Sequence, residues 1–297
     1  MFPIAGHTMG TPEYTVAQAL ELFHNIGLDG AELVVQDGYR CALPQVCDSK
    51  TLDAVGGLAA RLGLKLIALT PYYSRFNDLD PEVREHEILG LSSVIDYAQA
   101  LDARFIRIYA GNYAQTDTDP DGAKRAALID SLRRLGDRAG KAGVQLVMEN
   151  HFNTMTVSAA QSISLAREID HPAVGILYDQ ANLTFTGKEA WQEALPLQYE
   201  KVCHTHVKDL VFRENAGGFT SSDVSHPKEE ERNVTTRIVG EGVIPWPDIL
   251  QAMKDRDYPG WLSLEYERRW HPQDIPDAAV GMKQSAEYLR RVIDGLK

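Results

Sequence analysis

Short apolar runs and longer amphipathic stretches alternate along this chain eight times, and that rhythm constrains the fold more than any other feature. The strand candidates are Phe2–His7, Gly30–Val35, Leu64–Leu69, Arg104–Ala110, Val144–Asn150, Val174–Asp179, Lys201–Val207 and Gly260–Tyr266. Between them lie helix-like stretches such as Thr15–Ile26, Glu82–Ala100, Lys124–Ala142, Ala159–Ile169 and Ala278–Ile293. Such alternation implies parallel strands joined by helical crossovers, and eight repeats imply closure into a single (β/α)8 barrel. The 297 residues suffice for one such domain. No linker, low-complexity tract or composition shift marks a second one, so residues 1–297 read as one unit.

The strand registers agree with closure. Side chains alternate across a strand, so each strand should show one face to the helices and one to the barrel interior. Leu146 and Met148 oppose Val147, Glu149 and His151; Leu262 and Leu264 oppose Ser263, Glu265 and Glu267; His204, His206 and Lys208 share one face. The polar members gather at the C-terminal strand ends, where barrels of this kind keep their active sites. One connection is long: after Lys208-Asp209, roughly thirty residues without clear periodicity (about 210–240) lead to Gly240-Glu-Gly242. It is expected over the barrel mouth, as a lid or a subunit contact, with Gly217-Gly218 as a hinge.

Composition narrows the function. A formal net charge of −12 and the lack of a Lys/Arg-rich stretch argue against nucleic acid as a partner. No apolar run approaches the roughly 18 residues of a membrane span. The start, MFPIAGHTMG, has no basic segment ahead of an apolar run, so no secretory signal is expected. Cys41, Cys47 and Cys203 form no paired framework, which fits a reducing cytoplasm.

Four consecutive strand ends carry residues of metal-ligand type: Glu149 in Val-Met-Glu-Asn-His151, Asp179 in Leu-Tyr-Asp-Gln-Ala-Asn182, His206 in His-Thr-His-Val-Lys-Asp209 and Glu265 in Leu-Ser-Leu-Glu-Tyr-Glu267. A lone glutamate at a strand end is ordinarily a solvated rim residue, and a lone inward histidine a hydrogen-bonded core residue. Four at equivalent positions on neighbouring strands are different, because three carboxylates buried together without a cation are very costly. Three carboxylates and one imidazole make an oxygen-rich site that favours Mn²⁺, with Mg²⁺ or Co²⁺ as alternatives.

These motifs, together with Gly-Glu-Gly-Val-Ile-Pro-Trp246, resemble the xylose isomerase-like TIM barrels, the sugar phosphate isomerase/epimerase superfamily, over nearly the whole chain. The resemblance implies that Glu149, Asp179, His206 and Glu265 bind the metal, with Glu149 and Glu265 on opposite faces of a bound sugar. It implies an isomerase or epimerase that removes a proton next to a carbonyl and passes through an enediolate. Lys208 faces the same way as His206; it is a candidate to stabilise a developing oxyanion, or a rim ion-pair partner. Three features depart from the ketose 3-epimerase pattern. Asn182 stands where a histidine is usual, Arg213 is out of register with an expected arginine, and Glu149 is followed by Asn-His.

His151, on the face of Glu149, is a candidate general base. The Glu-Asn-His run also resembles the larger subunit of C-glycoside deglycosidases. Those lyases use metal-assisted β-elimination on 3-oxo-C-glycosides, and this likeness implies a small partner subunit. Substrate-binding candidates are His7, Arg107, Tyr109 and Asn182; His7 has a capping or core role as its alternative, and Arg107 a pairing with a buried carboxylate. Tyr72, Tyr73, Phe152, Phe185 and Trp270 are candidate ring contacts or plain packing. The expected partners are a sugar or glycoside and further copies of the chain. A DNA-repair endonuclease of the same barrel type needs a three-metal cluster with more histidines. Thr-Pro-Tyr-Tyr73 and Tyr-Ala-Gly-Asn112 offer none at the third and fourth strand ends.

Overall fold

The computed structural model describes residues 2–214, 217–221, 223–224 and 227–297. Eight parallel strands close into a barrel: β1 (Ile4–His7), β2 (Gly30–Val35), then, after the two-residue edge strand β3 (Ala42–Leu43), β4 (Lys65–Pro71), β5 (Phe105–Ile108), β6 (Gln145–Glu149), β7 (Val174–Tyr178), β8 (Val202–Val207) and, after a hairpin described below, β11 (Leu262–Leu264). Closure is made by β1, which pairs in parallel with both β2 and β11. Every expected strand is present: β2 keeps its expected bounds, β4 runs on to Pro71, and the others are trimmed by one or two residues at one or both ends.

Local signals set the elements. Thr15 and Ser158 begin their helices with capping boxes to Gln18 and Gln161, while Asp48, Asp80 and Asp277 cap with one carboxylate oxygen. Gly27 and Gly63 follow their helices at φ 78° and 71°, a left-handed turn that glycine enters without strain and that swings the chain into the next strand. Helices Ser49–Arg61, Gln180–Gly187, Trp191–Gln198 and Trp246–Lys254 complete the outer ring. No described helix is long and apolar enough to cross a membrane.

Two apolar layers result. The larger fills the space between strands and helices and includes Leu146, Met148, Leu262 and Leu264. A small plug inside the barrel, Ala5, Ile67, Ala68, Phe105, Val147 and Leu177, seals its lower half. Above this plug the inward positions turn polar, because the plug already fills the tapering interior and the upper layer opens toward the mouth.

The long connection is not the structureless stretch expected. It contains an antiparallel hairpin, β9 (Asp209–Phe212) and β10 (Val234–Arg237). Leu210, Val211 and Phe212 pair with Thr236, Thr235 and Val234. The strands are too short, and too far apart in sequence, for periodicity to announce them. Asn215, Ala216, Ser222, Ser225 and His226 of this connection lie outside the described residues.

Asp209 anchors the hairpin. Its buried carboxylate accepts from the backbone N–H groups of Leu210, Gly240, Gly242 and Ile244. A Cβ at Gly242 would collide with that carboxylate and with the Leu210 carbonyl. Trp246 closes the motif by donating its indole N–H to the carbonyl of Lys208 at 3.2 Å.

Candidate active site

Four buried side chains converge at the top of the barrel: Glu149 ending β6, Asp179 just past β7, His206 in β8 and Glu265 just past β11. One ligand atom from each lies within 4.8 Å of the other three. Asp179 divides its labour. Oδ1 caps helix Gln180–Gly187 by accepting from Asn182 N–H at 2.8 Å, which leaves Oδ2 facing the cluster. His206 Nδ1 lies 3.5 Å from Glu149 Oε1 and 3.3 Å from Glu265 Oε2.

Three cations oppose the three carboxylates. Arg107 Nε is 3.1 Å from Glu149 Oε2; Lys208 Nζ is 3.0 Å from Asp179 Oδ2, 2.6 Å from Glu265 Oε2 and 3.4 Å from Glu267 Oε1. The third is His206 itself. Burial disfavours its charge, but Glu265 and Glu32 outweigh burial and hold the imidazole well above its ordinary pKa. Burial likewise works against Glu149 and Glu265. Arg107 nonetheless draws Glu149 down to about 2, and Lys208 with His206 holds Glu265 well below the carboxylate range. Asp179 goes the other way: burial raises it to about 7 although Lys208 pulls against that.

The residues fit a divalent cation. The donor set is hard and anionic, the atoms are close, and among the described residues buried His206 Nδ1 has no hydrogen bond, while buried Asp179 Oδ2 has only its ion pair with Lys208. Such a site supplies two or more carboxylates to an ion and leaves the pocket above it for a substrate.

That pocket is floored by Arg107, His151, Lys208 and Glu265 and walled by Tyr72, Tyr109, Phe152, Phe185, Trp270 and Met9. Glu149, Asp179 and His206 lie beneath the floor. Tyr109 packs against His151 with ring centres 4.7 Å apart and planes tilted by 53°, and Arg107 lies 4.0 Å over the Tyr109 ring. His151 Nδ1 is 3.0 Å from the Phe152 carbonyl, so its N–H donates there and Nε2 keeps the lone pair. Burial lowers the His151 pKa, which keeps the ring neutral. From the hairpin connection, Phe219 packs edge-on against Phe152 and Phe185 at 5.1 and 4.8 Å. With these rings together the pocket keeps about 40 Å³ of free volume, room for a few waters.

Four residues singled out in the sequence do not line this pocket, against the substrate-binding expectation for His7 and Asn182. His7 is fully buried one layer below, where Nδ1 accepts from Met9 N–H and the ring packs edge-on to His206; it caps and supports rather than facing the pocket. Asn182 also lies under the floor, because its side-chain amide is committed to Glu149 Oε1 (3.3 Å) and the Asn150 carbonyl (2.9 Å). Tyr73 turns outward against Gly90, the parity consequence of Tyr72 facing in. Arg213, out of register in the sequence, pairs with Glu229 away from this pocket; the arginine on the pocket wall is Arg232, held by Asp274 and Glu229.

Sequence reasoning also passed over Glu32. It is a fully buried carboxylate in Gly-Ala-Glu-Leu-Val-Val35, contacted by His7, His204, His206 and Thr70. The signal was there: one charge inside an otherwise apolar strand.

Comparison with known proteins places this geometry in context. The family model "Xylose isomerase-like TIM barrel" matches residues 20–292. An inosose dehydratase of Geobacillus thermodenitrificans (strain NG80-2) is 30% identical over 141 residues, 48% of this chain and 46% of that protein. The chain thus spans about half the length of the curated relatives it matches. A D-tagatose 3-epimerase-like protein superposes with a TM-score of 0.75 at 17% identity, covering 99% of this chain and 97% of that one. A xylose isomerase-like TIM barrel protein from Mycobacterium smegmatis, in complex with magnesium, gives 0.74 at 18% identity, with coverages of 99% and 97%. At these identities the structural likeness speaks to the fold alone.

Proposed function

The chain belongs to the xylose isomerase-like TIM barrel family, and on that premise we propose that it is a divalent-metal-dependent enzyme removing a proton next to a carbonyl of a sugar or cyclic polyol ketone. The observation that carries this reading is the buried quartet of Glu149, Asp179, His206 and Glu265, its ligand atoms within 4.8 Å of one another. Bound there, an ion such as Mn²⁺ or Mg²⁺ supplies Lewis-acid polarisation of the substrate carbonyl and neutralises charge on adjacent oxygens. Lys208 and Arg107 on the pocket floor offset negative charge that develops on the enediolate oxygens. On this reading Glu265, on the pocket floor, and Glu149, buried just beneath it, would exchange protons with the substrate carbon in an epimerisation or isomerisation.

A second reading is elimination, and two observations favour it. The curated relative named above is a dehydratase. His151 stands on the floor with its pKa lowered by burial, and among the described residues its Nε2 lone pair takes no hydrogen bond, which makes it a candidate general base. Both reactions begin with the same proton abstraction and differ in whether a group β to the carbonyl departs. The cysteine count points to the cytoplasm as the working compartment.

The test is metal analysis of the purified protein, then NMR in heavy water with ketoses, cyclic polyol ketones and 3-oxo-glycosides. Deuterium entering next to the carbonyl with the carbon skeleton intact supports epimerisation. Loss of water or of an aglycone supports elimination, and dependence of that loss on an added small protein supports the two-subunit form. Absence of any metal-dependent exchange across the panel refutes the reading.

A further inference from the structure

Glu32 sits mid-strand in β2, one layer below the ligand quartet, and is fully buried. Both of its oxygens are in use. Thr70 Oγ1 donates to Oε1 at 2.5 Å, and His204 Nε2 lies 3.1 Å from Oε2. His206 Nε2 lies 3.2 Å from each oxygen, and His7 Nε2 3.5 Å from Oε1. Thr70 comes from β4, His204 and His206 from β8, and His7 from β1, so three other barrel staves converge on this carboxylate.

His206 has two ring nitrogens with opposite surroundings. Nε2 faces Glu32, and Nδ1 faces Glu149 and Glu265. A neutral imidazole ligates through the nitrogen that lacks a hydrogen, so the other must carry one and needs an acceptor. Among the described residues, the hydrogen bonds of His206 Nε2 all go to Glu32.

We infer that Glu32 is a positioning residue of the proposed metal centre: it takes the Nε2 hydrogen of His206 and so fixes the tautomer that turns Nδ1 toward the carboxylates. This rests on the reading that Glu149, Asp179, His206 and Glu265 hold a divalent ion. His7, Glu32 and His206 are also close enough together to suggest an ion of their own. Their hydrogen bonds argue otherwise. Thr70 and His204 already occupy the Glu32 oxygens, and His206 would have to surrender both ring hydrogens to serve two ions. One ion per chain follows.

The experiment uses the full chain with Mn²⁺ for affinity and stoichiometry and Mg²⁺ for NMR. The wild-type protein should bind one Mn²⁺ per chain, and the ring ¹⁵N signals of His206 in the Mg²⁺-loaded form should place the hydrogen on Nε2. Glu32→Gln should weaken Mn²⁺ binding roughly 10- to 100-fold, as loss of an outer partner to a ligating histidine does. Its amide can also donate to Nε2 and shift the His206 ring signals, a change that loss of packing alone would not produce. Glu32→Asp should recover part of the affinity. Wild-type affinity in Glu32→Gln, or a wild-type hydrogen on Nδ1, overturns the inference and leaves the functional reading standing. Two ions per chain, with one lost in Glu32→Gln, overturns it in favour of a second metal site. No Mn²⁺ bound by the wild type removes both. The stoichiometry and the His206 signals come from the wild type, so the inference stays falsifiable if Glu32→Gln does not fold.

Discussion

Replacing Lys208 by methionine should separate the metal-free from the metal-bound protein. Without an ion, Lys208 is the only cation touching both Asp179 and Glu265 among the described residues, at 3.0 and 2.6 Å, and its side chain is 5% exposed. Methionine keeps most of the volume and removes the charge. Breaking a buried pair from one side leaves uncompensated carboxylates and costs about 3–5 kcal/mol. In a chain of this size that corresponds to roughly 6–10 °C in Tm. A bound divalent ion takes over the neutralisation, so the loss should fall by about 2 kcal/mol or more at saturating Mn²⁺. The thermodynamic cycle then requires the variant to bind Mn²⁺ about 30-fold more tightly than wild type, because the ion no longer competes with an ammonium. Urea titrations of both proteins, in EDTA and in excess Mn²⁺, measure all four corners. Equal losses with and without metal would refute the argument, and so would no loss in EDTA.

Further outcomes follow from the same geometry. Metal affinity should rise with pH, since an ion must displace the His206 proton and, below about pH 7, the Asp179 proton as well; calorimetry in buffers of different ionisation heat at pH 6 and 8 counts the protons released. Asn182→Ala removes the amide donor to buried Glu149 and should cost about 1–3 kcal/mol of stability in denaturant titration. Phe219→Ala removes two ring contacts of about 0.5–1.5 kcal/mol each over the closed pocket and should change KM more than the stability of the barrel, read by steady-state kinetics beside a melting curve. Gly242→Ala forces a Cβ into the Asp209 carboxylate and should cost about 1–3 kcal/mol, with the hairpin amides losing hydrogen-exchange protection before the barrel strands do.

The barrel and its candidate ligand quartet were legible in the residues because both are written locally. Strand–helix alternation and parity say which side chains point inward. Position at a strand end says which of those reach the mouth, so Glu149, Asp179, His206 and Glu265 could be read without coordinates. Parity alone also separates Tyr72, on the pocket wall, from Tyr73, against Gly90.

Height inside the barrel and competition for partners are different matters. His7 ends its strand as the ligands end theirs, yet the staggering of neighbouring strands leaves it a layer lower, under His206. Asn182 stands three residues past Asp179, but helix Gln180–Gly187 turns its amide down onto Glu149. The β9–β10 hairpin pairs residues 22 to 28 positions apart, and no local pattern encodes that pairing. Glu32 was visible as a charge in an apolar strand, but its role was not, because the histidines and threonine that surround it come from three other strands. Which residues face the barrel interior follows from the residues alone, since side-chain direction is a property of the single strand. Which of them meet one another depends on the stagger and closure of all eight strands, and so emerges only in the folded barrel.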